Sequence, residues 1–162
     1  MKRVWWTICV LMALFLGGVV WAMRNQPAHN DFTEDVTNLA SASTAVQSGD
    51  GWQLVSYPGE DCFRVQVGGS ATTCYSQHMG DGSIGVMELK GAGHHFALAV
   101  IGSTQPLHAR FFSSARHAEA ATLVAVGGNQ LLVTELGSHE RPWGAQIVDE
   151  SGATVYTVSW TT

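Results

Sequence analysis

Three cysteines, seven histidines and five methionines are the side chains best suited to redox, metal or nucleophilic chemistry in this 162-residue chain. Cys9 lies in an apolar run, which leaves Cys62 and Cys74. They flank a predicted hairpin whose turn is Gly68-Gly69-Ser70, and antiparallel pairing about Gly68 sets Cys62 opposite Cys74, within disulfide reach. In an oxidising exterior such a pair is expected to be bridged. His94 and His95, with His108, His117 and His139, could supply imidazoles to zinc or copper. Adjacent side chains on a strand point to opposite faces, so a site would need neighbouring strands. No H-x-H or H-E-x-x-H spacing fixes two ligands, and turn-end or surface histidines are expected. Gly80-Asp-Gly-Ser-Ile-Gly85 matches G-x-G-x-x-G, but a strand-like run follows where a dinucleotide site requires a helix. Glu140-Arg141-Pro142-Trp143 sets an aromatic beside a cation, a common contact element at interfaces. Arg141 and Trp143 are therefore the interface candidates; the alternative, that Trp143 opens a strand and packs inward with Trp52 and Trp160, is favoured.

Two short resemblances touch these residues. Thr72-Thr73-Cys74 resembles the nucleophile strand of sortases, which place a histidine well upstream of the cysteine and an arginine shortly after it. Here the only upstream histidine is His29, and no arginine occurs between Cys74 and Arg110. A thiolate nucleophile needs such a base or cation. Cys74, His78 and Met79 resemble blue-copper ligands in type, but Met79 directly follows His78 and would face away from it on a strand. No catalytic residue, metal ligand or cofactor is assigned.

The elements that must position these residues are short β-type runs separated by glycine. Trp52–Tyr57, Phe63–Val67, Ala71–Ser76, Ile84–Lys90, His95–Ile101, Leu107–Phe112, Thr122–Val126, Gln130–Leu136, Ala145–Val148 and Thr154–Trp160 each read as a strand. Turn chemistry at Gly68-Gly69, Gly91-Ala-Gly93, Gly127-Gly-Asn129 and Glu150-Ser-Gly152 joins them as hairpins. Only 113–121 reads as a loop or one or two helical turns. The expected fold class is all-β, an antiparallel β-sandwich or small barrel over residues 51–162. Residues 24–50 form a polar connector in which Asp31-Phe-Thr-Glu34 reads as a capping box opening a short helix.

Residues 4–23 are uncharged, long enough as a helix to span a hydrocarbon core, and carry Trp5, Trp6 and Trp21 near their ends. Lys2 and Arg3 precede them, so residues 1–3 are expected in the cytoplasm and everything after Arg24 outside. Val20-Trp21-Ala22 also fits a signal-peptide cleavage site; length and paired tryptophans favour a retained anchor, and export holds either way. From Arg24 onward, 6 basic residues stand against 13 acidic ones, a formal charge of −7. That balance offers no basic stripe for nucleic acid and no polybasic grip on anionic lipid. A membrane-anchored, non-enzymatic binding module or accessory subunit with a protein partner in the membrane or envelope is therefore expected. The alternatives are an envelope hydrolase or transpeptidase, marked by a cleft of converging His, Ser or Asp, and a His/Met metal-handling module.

Overall fold

The computed structural model describes residues 29–39 and 42–160. The expected cytoplasmic residues 1–3 and anchor 4–23 lie outside them; among the described residues, no helix is long and apolar enough to cross a membrane. The described chain is all-β, and every strand pairing is antiparallel. A first sheet holds β1 (Glu34–Asp35), β2 (Thr44–Gly49), β3 (Trp52–Tyr57), β4 (Cys62–Val67), β5 (Ser70–Ala71) and β6 (Tyr75–Ser76), in the order β1-β5-β4-β3-β2 with β6 also on β4. A second holds β7 (Ile84–Gly91), β8 (His94–Gly102), β11 (Leu123–Val126) and β12 (Asn129–Glu135), in the order β11-β12-β8-β7. The third holds β9 (His108–Ser113), β10 (Glu119–Ala121), β13 (Pro142–Val148) and β14 (Thr154–Ser159), in the order β10-β9-β13-β14.

The second sheet lies between two cores, and β8 shows why. Its run Phe96-Ala-Leu-Ala-Val-Ile101 is apolar at both parities, so neither face can be left to water. Phe96, Leu98 and Val100 pack with Leu54, Phe63 and Val65 of the first sheet. Ala97, Ala99 and Ile101 pack with Ala109, Phe111, Ala145 and Ile147 of the third. Fully burying one such Phe, Leu or Ile side chain contributes roughly 1.5–3 kcal/mol, which makes these two seams the main support of the fold.

The helix expected from Asp31–Glu34 does not form, and residues 29–50, where described, are built into the domain. Phe32 is buried against Phe96. The Asp31 backbone N–H donates to the Lys90 carbonyl (2.8 Å), and its carboxylate accepts from the Lys90 N–H (2.7 Å), so Asp31 lies along β7 rather than capping a helix. Glu34 reaches forward to Arg64 instead of back to an N-cap amide. The cap sits four residues later: Asp35 accepts from Thr37 N–H (2.9 Å) at the start of a single 3-10 turn, Val36–Asn38. The Ser and Thr residues that weaken a helix here suit the edge strand β2, which pairs with β3. Gly91, at φ +145°, accommodates this packing, because a Cβ there would lie 1.9 Å from Asn30 Oδ1. Residues 119–121 are likewise strand rather than loop, paired with β9.

The Cys62–Cys74 disulfide is formed, with Cα atoms 5.6 Å apart. Its register differs from simple pairing about Gly68. The turn is the two-residue Gly68-Gly69, with Val67 opposite Ser70, and beyond Thr72 the ladder slips so that Cys62 faces Ser76. Cys74 thus approaches Cys62 diagonally, two residues before its direct partner.

Candidate functional site

A cleft of about 740 Å³ opens at one end of the seam between the second and third sheets. That volume is in the range of small-ligand pockets. Its lining comes from β7 (Glu88, Lys90), β8 (His95), residues 138–143, and Trp160 just after β14.

On the β7 side, period two puts Glu88 and Lys90 on the same face as Ile84 and Val86, and the ladder sets Lys90 opposite His95. One Glu88 oxygen contacts both the Lys90 ammonium (2.7 Å) and His95 Nε2 (2.6 Å). Burial pushes the Glu88 carboxyl up, but the hydrogen bonds and charges of Lys90 and His95 outweigh it and hold the group below the usual carboxylate range. His94 faces the other way, stacked on Phe96 with Nδ1 2.6 Å from Glu135.

The opposite wall is held by Glu140. Its carboxylate accepts from Ser113 Oγ, from the Gly137 N–H (2.9 Å) and from Arg116, whose Nε lies 3.0 Å away. Burial acts first to raise its pKa, but these donors more than reverse that, and the carboxyl sits below its ordinary value. Arg141 is pinned through its backbone: its N–H donates to Ser114 Oγ and its carbonyl accepts from Ser114 N–H, each at 2.9 Å. The backbone is fixed while the guanidinium stays out of every ion pair formed among the described residues.

Trp143 does not pack inward as expected. Pro142 pairs with Ser113 and Gly144 with Phe112, so Trp143 is the extra residue of a β-bulge. A bulge re-aims one side chain out of the strand's alternation, and the Trp143 indole is 51% exposed at the cleft rim. Gly144 makes this possible, since a Cβ there would lie 2.6 Å from the Val158 carbonyl oxygen. Trp160 does turn inward, edge-on to Phe111, with its indole N–H donating to the Met87 carbonyl at 3.0 Å.

The structure therefore brings Arg141, Trp143 and the neighbouring His139 together with Glu88, Lys90 and His95, which lie far from them in sequence. The Ile84–Lys90 run carries no periodicity signal for a site, and only the ladder reveals that His95 and Lys90 share a face. Other candidates fall elsewhere. His108 is exposed on β9, His117 lies edge-on to Phe112, and His78 is 3.4 Å from Asp61. Met79 packs on the first core, and Gly80–Gly85 turns directly into β7. Among the described residues, the one grouping with metal-ligand closeness is Glu60, Cys62 and Cys74, whose two sulfurs are already joined to each other. Comparison of the chain with protein-family models, with curated proteins and with solved structures found no match.

Proposed function

We propose that this chain is a membrane-anchored, extracytoplasmic β-sandwich that acts as a non-enzymatic binding module or accessory subunit, engaging a protein partner through the Trp143 cleft. The observation that carries the reading is the bulge that turns Trp143 out beside Arg141 at the mouth of a 740 Å³ cleft. A Trp next to an Arg at a concave site is the composition of a binding hot spot. The uncharged segment 4–23 supports anchoring, Lys2-Arg3 supports export of the domain, and the two cores on either face of the second sheet favour a layered sandwich over a closed barrel. The test is a photo-crosslinking residue at position 143 in the full chain, expressed in cells, with Val155, another exposed apolar residue, as control. A discrete polypeptide adduct from position 143 and none from 155 is expected; equal labelling from both overturns the reading.

An envelope hydrolase is the second reading, favoured by Ser138, His95 and His139 lining the same cleft as Glu88. The His95–Glu88 contact resembles the base-orienting half of a triad. Turnover of an envelope substrate by the purified chain, lost in Ser138→Ala, would establish it over the first.

A further inference from the structure

The cleft is lined by balanced charge in an acidic chain, and one of its cations, Arg141, stands outside every ion pair among the described residues, which points to its ligand. The whole chain carries a formal −5. Lining the cleft are Lys90 and Arg141 against Glu88 and Glu140, two cations to two carboxylates and no net charge with the histidines neutral; Arg116, which braces Glu140 from outside the lining, also pairs with Glu119. The two carboxylates are already engaged, Glu88 by Lys90 and His95, and Glu140 by Arg116, Ser113 and Gly137. Of the described cations, Arg64, Lys90 and Arg116 form ion pairs; Arg110 and Arg141 do not, and of those two only Arg141 lines the cleft. Lys90 is 52% exposed and offers further N–H donors beyond the one given to Glu88. Beside these groups stand an exposed indole, Trp143, and on the same face of β7 an exposed apolar pair, Ile84 and Val86.

We propose that the cleft recognises a single carboxylate on a peptide segment, next to an aromatic side chain, with the carboxylate at Arg141 and Lys90 and the ring against Trp143. This rests on the reading of the cleft as a protein-binding site. A guanidinium matches a carboxylate through two parallel N–H donors, and an indole gives a flat apolar surface for a second ring. A single carboxylate is specified because the surrounding chain is acidic: at a Debye length of about 8 Å, a run of acids extending beyond the cleft meets net repulsion that one buried charge escapes.

The experiment uses the full chain in non-ionic detergent with tryptophan indoles labelled with nitrogen-15, the Trp143 signal being assigned by its loss in Trp143→Phe. Blocked peptides Gly-Phe-Asp-Gly, Gly-Phe-Asn-Gly and Gly-Phe-Lys-Gly are titrated, together with N-acetylphenylalanine to separate a terminal carboxylate from a side-chain one. Saturable shifts of the Trp143 indole with the Asp peptide, about tenfold tighter than with its Asn counterpart, are expected, as suits one charge-assisted pair. Arg141→Gln, which keeps the backbone bonds to Ser114, is expected to erase that selectivity without abolishing the shift. Equal binding of the Asp and Asn peptides, preference for the Lys peptide, or no shift at all overturns the inference. A polypeptide adduct at position 143 without carboxylate selectivity sinks this inference alone. Selectivity without an adduct sinks only the protein-partner reading.

Discussion

The indole N–H of Trp160 donates to the carbonyl of Met87 at 3.0 Å, joining the end of β14 to the edge strand β7. It ties the third sheet to the second at the floor of the cleft, where Glu88 follows Met87 and Trp160 lines the wall. The Trp160 backbone N–H also donates to the Trp143 carbonyl (3.1 Å), so one residue sets both the sheet spacing and the base of the bulge. Trp160→Phe keeps most of the ring burial and removes the indole donor. A loss of about 1 kcal/mol in unfolding free energy is expected, the usual worth of one such bond, measured by urea denaturation. No loss would mean that water replaces the donor.

Gly144→Ala tests the bulge itself. The added methyl would meet a backbone oxygen, which cannot rotate away as a side chain can. The bulge must shift, at a cost of roughly 1–3 kcal/mol. Trp143 should move with it, so the expected outcome pairs a lower midpoint of thermal unfolding with a displaced Trp143 indole resonance. A stable variant with an unchanged resonance would contradict the role given to Gly144.

Much of the strand layout was legible because alternation and glycine turns are local signals. Phe63-Arg-Val-Gln-Val67 and Gly68-Gly69 specify a strand and a tight turn with no reference to the rest of the chain. What was not legible depended on distant partners. Glu34 three residues after Asp31 fits a capping box equally well whether or not Arg64 stands across the first sheet to draw it away. Trp143 reads as the start of an inward-facing strand unless the extra residue opposite Ser113 and Phe112 is known. Of the cleft, Arg141 and Trp143 were legible as contact residues and His95 and His139 only as candidate imidazoles, since register alone brings Glu88, Lys90 and His95 to one face.

The Glu34–Arg64 pair makes a separate stability prediction. Arg64 is 7% exposed and its Nε has no hydrogen-bond partner, so its charge depends on Glu34 and Glu60. Glu34→Gln should cost about 1–3 kcal/mol, below the cost of breaking a fully buried pair because the Glu34 side chain is one-third exposed. Arg64→Met in the Glu34→Gln background should recover part of that loss. Urea denaturation of the two variants checks both; a double variant less stable than Glu34→Gln would refute the account.

Oxidation state offers a further check. Intact mass under non-reducing conditions should be lower by two hydrogen atoms than after reduction. The bridge spans 12 residues, and replacing both cysteines by serine should cost about 2–4 kcal/mol, chiefly through the gain in freedom of the unfolded chain. Two free thiols in the unreduced, purified chain would exclude the bridge.

The cleft carboxylates set an acid dependence whose sign follows from their pKa direction. Glu88 and Glu140 are both lowered in the folded protein from an ordinary value of 4.5. The folded state therefore releases these protons more readily than the unfolded chain does. The resulting stabilisation is fully present above about pH 4.5 and is lost as pH falls through the lower folded values. Glu140→Gln removes one of the two contributions, and Glu140 is the more enclosed, with Ser113, Gly137 and Arg116 all directed at it. Its unfolding free energy, followed from pH 6 down to about 3, should fall less steeply than that of the unaltered chain. The variant is also expected to be less stable at neutral pH, because Arg116 then lacks its buried partner. If the two acid slopes coincide, Glu140 does not hold the cleft wall through its charge, and the geometry around Arg141 must rest on the Ser114 backbone bonds alone.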